Sequence, residues 1–94
     1  MFDYERAFNE LNILYESASK IDDWDKDLAE EFIRVGEYGL ALDEIAYAYL
    51  NSGTAMPTDL FEVFERLAVA MRMEGKEDFE DVAQLRAETK ARLA

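Results

Sequence analysis

Residues 37–50 read EYGLALDEIAYAYL, and this stretch decides the fold. Its apolar residues recur three and four positions apart, as they do on a helix, and they do not alternate with polar residues as a half-buried strand would require. They cover more than one side, which is typical of a helix at the centre of a bundle. The sequence therefore predicts a central helix whose apolar residues are Leu40, Ala41, Leu42, Ile45, Ala46, Tyr49 and Leu50.

Two segments of helical period precede the central helix. The first begins near Asp3. The second, which we expect Asp22 or Asp23 to cap, runs to Val35 and ends at Gly36. The predicted stripes are Tyr4, Phe8, Leu11 and Tyr15, widened by Leu14 and Ala18, in the first helix, and Trp24, Leu28, Phe32 and Val35 in the second.

A fourth helix follows the loop at residues 51–57. This loop contains the only proline of the chain, and Thr58 or Asp59 is the predicted cap of the helix that follows. Gly75 is predicted to end the helix. Its predicted apolar edge consists of Leu60, Phe64, Leu67 and Met71.

The last segment, residues 76–94, has high helical propensity but a thin apolar stripe, so we expect its end, residues 86–94, to fray. The whole chain, residues 1–94, is predicted to be one all-α domain, a bundle of four to five helices. Its predicted core contains Trp24, Phe32, Leu42, Ile45, Phe64 and Leu67.

The residue inventory argues against catalysis and against a bound metal or cofactor. The chain has 94 residues, which support one modest core without a deep substrate cavity. It has no cysteine and no histidine, so the usual general base, zinc ligands and nucleophile pairs are missing. Asp23, Asp25 and Asp27 alternate as in a calcium loop, but Leu28 and Arg34 stand where that loop needs Gly and Glu. Acids that complement a helix dipole are the favoured interpretation.

Charge points to the kind of partner. The formal net charge is −12, with 13 acids and 4 bases in residues 1–50 and 9 acids and 6 bases in residues 51–94. Such an excess repels nucleic acid and anionic membranes and favours a basic protein partner. No apolar run is long enough for a leader or a membrane span, so a cytoplasmic location is expected. Self-association is compatible with the sequence but not implied by it.

The acids of residues 22–44, together with two aromatic residues, are the candidate partner-binding residues. Tyr47 cannot share the core face with Tyr49, which lies two positions later on the same helix, so it is a candidate anchor. The alternatives are a solvated acidic surface and a half-buried Tyr47. The candidates are Asp23, Trp24, Asp27, Glu30, Glu31, Glu37, Glu44 and Tyr47.

Residues 36–44, GEYGLALDE, resemble a segment that opens a helix in the MafI family of bacterial immunity proteins. The similarity continues through the following loop into residues 59–71. It implies a cytoplasmic antidote that binds the toxic C-terminal domain, commonly a nuclease, of a secreted polymorphic toxin, as in contact-dependent inhibition. By the resemblance, Gly36 and Gly39 are turn and close-packing positions. Residues 46–53 depart from the family's polar and acidic pattern, so no toxin-contacting residue is carried over.

Three functional hypotheses follow. The first is an immunity protein that neutralises a toxin by covering its basic active site with the acidic face of the second and third helices. The second is an acidic mimic of nucleic acid, or another regulator, that binds a DNA- or RNA-binding protein through the same charge. The third is an enzyme that uses carboxylate chemistry, which the missing histidine and cysteine favour least.

Overall fold

A computed structural model describes residues 2–73 and 79–94, and these residues form five α-helices. This architecture confirms the predicted all-α bundle. Gly75, the predicted end of the fourth helix, lies outside the described residues, and the prediction is wrong because this helix already ends at Ala70. Within the described ranges, no helix is long and apolar enough to cross a membrane. The helices are α1 (Tyr4–Ala18), α2 (Lys26–Arg34), α3 (Tyr38–Ser52), α4 (Thr58–Ala70) and α5 (Glu80–Leu93).

Helix α3 lies at the centre and packs against the other four helices, as its apolar pattern predicts. Three of its buried residues are alanines, and such small side chains let neighbouring helices approach closely. Leu40 was predicted to be covered but lies on the outer side, 39% exposed. The buried residues of α3 are Ala41, Leu42, Ile45, Ala46, Ala48 and Tyr49.

The predicted faces of α1 and α2 are wrong in part, for one physical reason. In α1, Tyr4 and Phe8 are exposed, and the buried stripe is Ala7, Leu11, Leu14 and Ala18. In α2, Leu28 and Val35 are exposed, and Ala29 and Ile33 are buried. Close packing against α3 selects the stripe that contains alanine over the stripe with larger apolar side chains.

Of the six predicted core residues, Leu42, Ile45, Phe64 and Leu67 are buried. Trp24 and Phe32 are only partly buried and pack against the edge of the core. The core also contains Phe61, which stacks on Phe64 with ring centroids 6.0 Å apart. The predicted core is therefore confirmed in α3 and α4, whereas Trp24 and Phe32 are less buried than predicted.

The predicted caps of α2 and α4 are wrong. Asp25 caps α2, since its carboxylate accepts the Leu28 N–H at 3.0 Å, while Asp23 has a positive φ of 64° and turns the chain before the helix. Pro57 precedes α4 without a side-chain cap, and Thr58 and Asp59 lie inside the first turn. Proline has no side-chain acceptor, so the first backbone N–H groups of α4 receive no cap bond from this position.

Helix α5 continues to Leu93, and its buried residues are Val82, Leu85 and Thr89. The fraying expected for residues 86–94 concerns motion and stays a prediction. Thr89 was not recognised as a core position because a threonine does not add to an apolar stripe. Its hydroxyl has no hydrogen-bond partner among the described residues.

Candidate protein-binding surface

Two glutamates on one side of the bundle each lie between two cations, and we call this the paired side. Glu10 of α1 connects its own helix to α4, and Glu65 of α4 connects that helix to α5. The Lys90 Nζ lies 3.0 Å from Glu65 Oε2. The cations are Arg6 and Arg66 around Glu10, and Arg86 and Lys90 around Glu65.

The outer side of α3 carries a different surface. Leu40, Asp43, Glu44 and Tyr47 are three and four residues apart, so they form one stripe on this helix. Leu40 and Tyr47 are 39% and 40% exposed, and they flank the two carboxylates along the helix. The neighbouring helices add two more acids close to Glu44. We call this group the acidic face: Asp25, Leu40, Asp43, Glu44, Tyr47 and Asp81.

The carboxylates of the acidic face repel one another. Burial raises the pKa of Glu44, and the charges of Asp43, Asp25 and Asp81 raise it further. The pKa of Asp81 is raised by burial and by the adjacent Glu80. In the part of the chain that the structure describes, none of the four acids of this face takes part in an ion pair. The face therefore presents negative charge that the described residues do not neutralise.

Asp43 also has a structural task at the edge of this face. Its carboxylate accepts the Val82 N–H at 3.0 Å and so caps α5, whose own preceding residue provides no side-chain cap. Burial raises the pKa of Asp43, the hydrogen bond from Val82 opposes that rise, and the charge of Asp81 adds to it. This contact between α3 and α5 places Asp81, in the first turn of α5, beside the α3 stripe.

The structure divides the predicted binding residues between separate surfaces. Glu44 and Tyr47 belong to the acidic face, whereas Glu30 and Asp27 lie near Tyr15 of α1. The Tyr15 hydroxyl donates to Glu30 Oε2 at 3.4 Å. The pKa of Tyr15 is raised by burial first and then by the carboxylates of Glu30 and Asp27. The acids of residues 22–44 are thus not one continuous surface.

Glu31 and Glu37 lie apart from the acidic face. Glu31 pairs with Arg34 one turn later, and hydrogen bonds from this guanidinium lower the pKa of Glu31. Glu37 is exposed immediately before α3 and borders a shallow groove with Tyr4 and Tyr38. Neither carboxylate appears among the charges that shift the pKa of Glu44.

Asp23 and Trp24 belong to the turn between α1 and α2. The Trp24 Nε1–H donates to the backbone oxygens of Ala18 and Ile21, at 3.1 and 2.9 Å. Its ring meets the edge of Tyr15, with centroids 6.2 Å apart. The indole therefore fastens the turn to α1, while Asp23 remains exposed.

The acids of residues 22–44 include Asp25 and Asp43, but the sequence did not single them out, and it missed Leu40 and Asp81 as members of this surface. Helical spacing from Glu44 and Tyr47 could have identified Leu40 and Asp43, which lie within one turn of them. No local pattern could have identified Asp81, because only the packing of α5 on α3 brings it near.

The two glycines of the GEYGLALDE segment have the roles that the resemblance implies. Gly36 has a φ of +83° in the turn between α2 and α3, a conformation that glycine adopts without strain. At Gly39 a Cβ atom would lie 3.1 Å from Cζ of Phe79, so the missing side chain leaves room for this ring. Both assignments, turn and close packing, are confirmed by this geometry.

No group of three or more acidic, histidine or cysteine side chains within residues 2–73 and 79–94 could hold a metal ion. The acidic face combines negative charge with two exposed apolar residues, Leu40 and Tyr47. No protein-family model, curated protein or solved structure matches this chain.

Proposed function

We propose that this chain is an immunity protein that neutralises the nuclease domain of a bacterial toxin by covering its basic surface with the acidic face. The observation that carries the proposal is the separation of charge. Three of the four described ion pairs of the paired side join two helices, whereas the four acids of the acidic face have no cation from the described residues. The resemblance of GEYGLALDE to the MafI family adds the cellular role, an antidote in the cytoplasm of the producing cell.

The charge of the acidic face is complementary to that of a nuclease. A nuclease binds phosphates through lysine and arginine side chains, so its active surface is positive. Complementary charge across an interface accelerates encounter and excludes competing partners. Leu40 and Tyr47 flank Asp43 and Glu44 and would provide the apolar contacts that slow dissociation. The mutual repulsion that raises the pKa of Glu44 would be relieved by cations from the partner.

The test measures binding kinetics against a panel of catalytically inactivated toxin nuclease domains. Glu44→Lys should slow association several-fold and weaken its salt dependence, because exposed charges act over about 8–10 Å at moderate salt. The matched control is Glu16→Lys, which makes the same charge change at an exposed position of α1. Tyr47→Ala should mainly accelerate dissociation, by about tenfold or more.

A second pair of variants separates the acidic face from the acids near Tyr15. Glu30→Lys combined with Glu31→Lys changes the charge of α2 outside the acidic face, and we expect a smaller effect than that of Glu44→Lys. Equal association rates for Glu44→Lys and Glu16→Lys would contradict the assigned surface. If no nuclease toxin domain binds but a DNA- or RNA-binding regulator does, the immunity proposal is wrong and the nucleic-acid mimic is correct.

A further inference from the structure

A cleft of about 510 Å³ between α1 and α4 has the opposite character from the acidic face. Three arginines border it, against two carboxylates, in a chain whose net charge is −12. The three arginines are contributed by two helices and by the turn after α4. None of the residues that border the cleft belongs to the acidic face. The charged residues of the cleft are Arg6, Arg66, Arg72, Asp3 and Glu10.

Both carboxylates of the cleft already have tasks in the fold. Asp3 caps α1, accepting the backbone N–H of Arg6 at 3.0 Å. Glu10 is only 12% exposed and lies between the guanidinium groups of Arg6 and Arg66. A guanidinium has five N–H donors, and one carboxylate shared by two arginines satisfies only part of them. Glu10 thus holds two arginines beside the cleft with donors left for a further acceptor.

Arg72 brings the third guanidinium and has an unusual backbone. Its φ is +55°, in the left-handed region where glycine is the common residue after a helix. Its own N–H donates to Val69 O at 3.0 Å, and the Met73 N–H donates to Ala68 O at 2.9 Å. These backbone bonds satisfy terminal carbonyls of α4 without help from the Arg72 side chain, which borders the cleft.

We infer that this cleft binds a small molecule that carries a phosphate group. Guanidinium groups present paired donors that match phosphate oxygens, and three of them at one cleft suit a tetrahedral anion better than a planar carboxylate, which one fork satisfies. Phe2 and Ala70 also border the cleft and provide apolar contact for an organic substituent of the phosphate. The site is independent of the proposed function, because it uses none of the residues of the acidic face.

The experiment titrates the ¹⁵N-labelled full chain with inorganic phosphate, phenyl phosphate and acetate at constant ionic strength. Saturable amide shifts at the start of α1 and the end of α4 are expected for both phosphates, with tighter binding of phenyl phosphate. Arg72→Gln should weaken phosphate binding about tenfold, as expected for the loss of one charge-assisted contact. Arg92→Gln is the matched control, since it removes the same charge from an exposed position of α5.

Three results would overturn the inference. These are shifts that do not saturate, equal weakening by Arg92→Gln and Arg72→Gln, and acetate binding as tight as phosphate binding. Far-UV circular dichroism of each variant shows whether it is folded. If Arg72→Gln proves unfolded, Arg72→Lys tests the same point, because it keeps the charge but lacks the paired donors and should still weaken binding.

Discussion

Glu65 and Glu44 are both partly buried glutamates on helices, but their surroundings are opposite. Glu65 lies between Arg86 and Lys90 and joins α4 to α5. Glu44 lies among three other acids, and its raised pKa shows that its charge is unfavourable there. The paired side thus uses charge for folding, whereas the acidic face keeps charge at a cost to the fold. This contrast supports our proposal that the acidic face is the surface for recognition.

The largest expected effect tests the orientation of α3, whose inner side packs in the core and whose outer side carries the acidic face. Leu42 is fully buried, and Leu40 is on the acidic face. Leu42→Ala should lower the free energy of unfolding by about 2–5 kcal/mol, because it leaves a cavity in the core. Leu40→Ala should lower it by less than about 1 kcal/mol. Urea denaturation followed by circular dichroism measures both, and equal losses would contradict the assigned orientation of α3.

Some features of the fold are indicated by neighbouring residues in the sequence, and these were predicted. Others depend on how the helices pack against one another, and these were missed. The pattern of residues 37–50 predicted the central helix because nearly every side of it is apolar. In α1 the same reasoning selected Tyr4 and Phe8 over Ala7, since the sequence does not show how closely a neighbouring helix approaches. The existence of the helices was therefore predictable from period, whereas the buried faces of α1 and α2 were predictable only in part.

The candidate site was less predictable than the fold. Glu44 and Tyr47 were identified from charge and from the position of Tyr47 relative to Tyr49, both of which are local. Asp81 joins them across 37 positions of sequence, through the cap that Asp43 provides for α5. The contact of Glu65 with Arg86 spans 21 positions and likewise has no local signal. Tertiary packing decides which charges meet.

The next effect tests the contrast between the two glutamates directly. Glu65→Gln and Glu44→Gln each remove one negative charge and keep the size of the side chain. Glu65→Gln should destabilise by about 1–3 kcal/mol, because it leaves the mostly buried Arg86 guanidinium without its anion. Glu44→Gln should leave stability unchanged or raise it, since it relieves repulsion. Thermal and urea denaturation would show equal losses if the contrast were wrong.

A smaller effect concerns Asp43, an acid of the acidic face that also supports the fold. Asp43→Ala removes the cap of α5 and should cost about 1 kcal/mol, whereas Asp43→Asn keeps an acceptor for the Val82 N–H and should cost less. The control is Asp59→Ala, which lies in the first turn of α4 and makes no cap bond. Urea denaturation of the three variants measures the order. A loss for Asp59→Ala as large as that for Asp43→Ala would contradict the capping role.

The smallest expected effect is a dependence of stability on pH. The pKa values of Asp43, Glu44 and Asp81 are raised in the folded chain above their ordinary values, 3.8 for aspartate and 4.5 for glutamate. The folded state therefore binds protons more tightly than the unfolded state between the ordinary and the raised pKa values. Over that window the free energy of unfolding rises as pH falls, and below the ordinary values no further gain accrues.

The opposing contribution comes from Glu31, whose lowered pKa means that its stabilising pair with Arg34 is lost as pH falls. That pair is exposed and screened by solvent, so the three acids of the acidic face should dominate. We expect the urea midpoint to rise as pH is lowered from 7 toward 4.5. The double variant Glu44→Gln with Asp81→Asn should show a smaller rise, because only Asp43 still titrates with a raised pKa. An unchanged slope in that variant would place the titrating groups outside the acidic face, and the comparison with Glu65 would then lose its electrostatic basis.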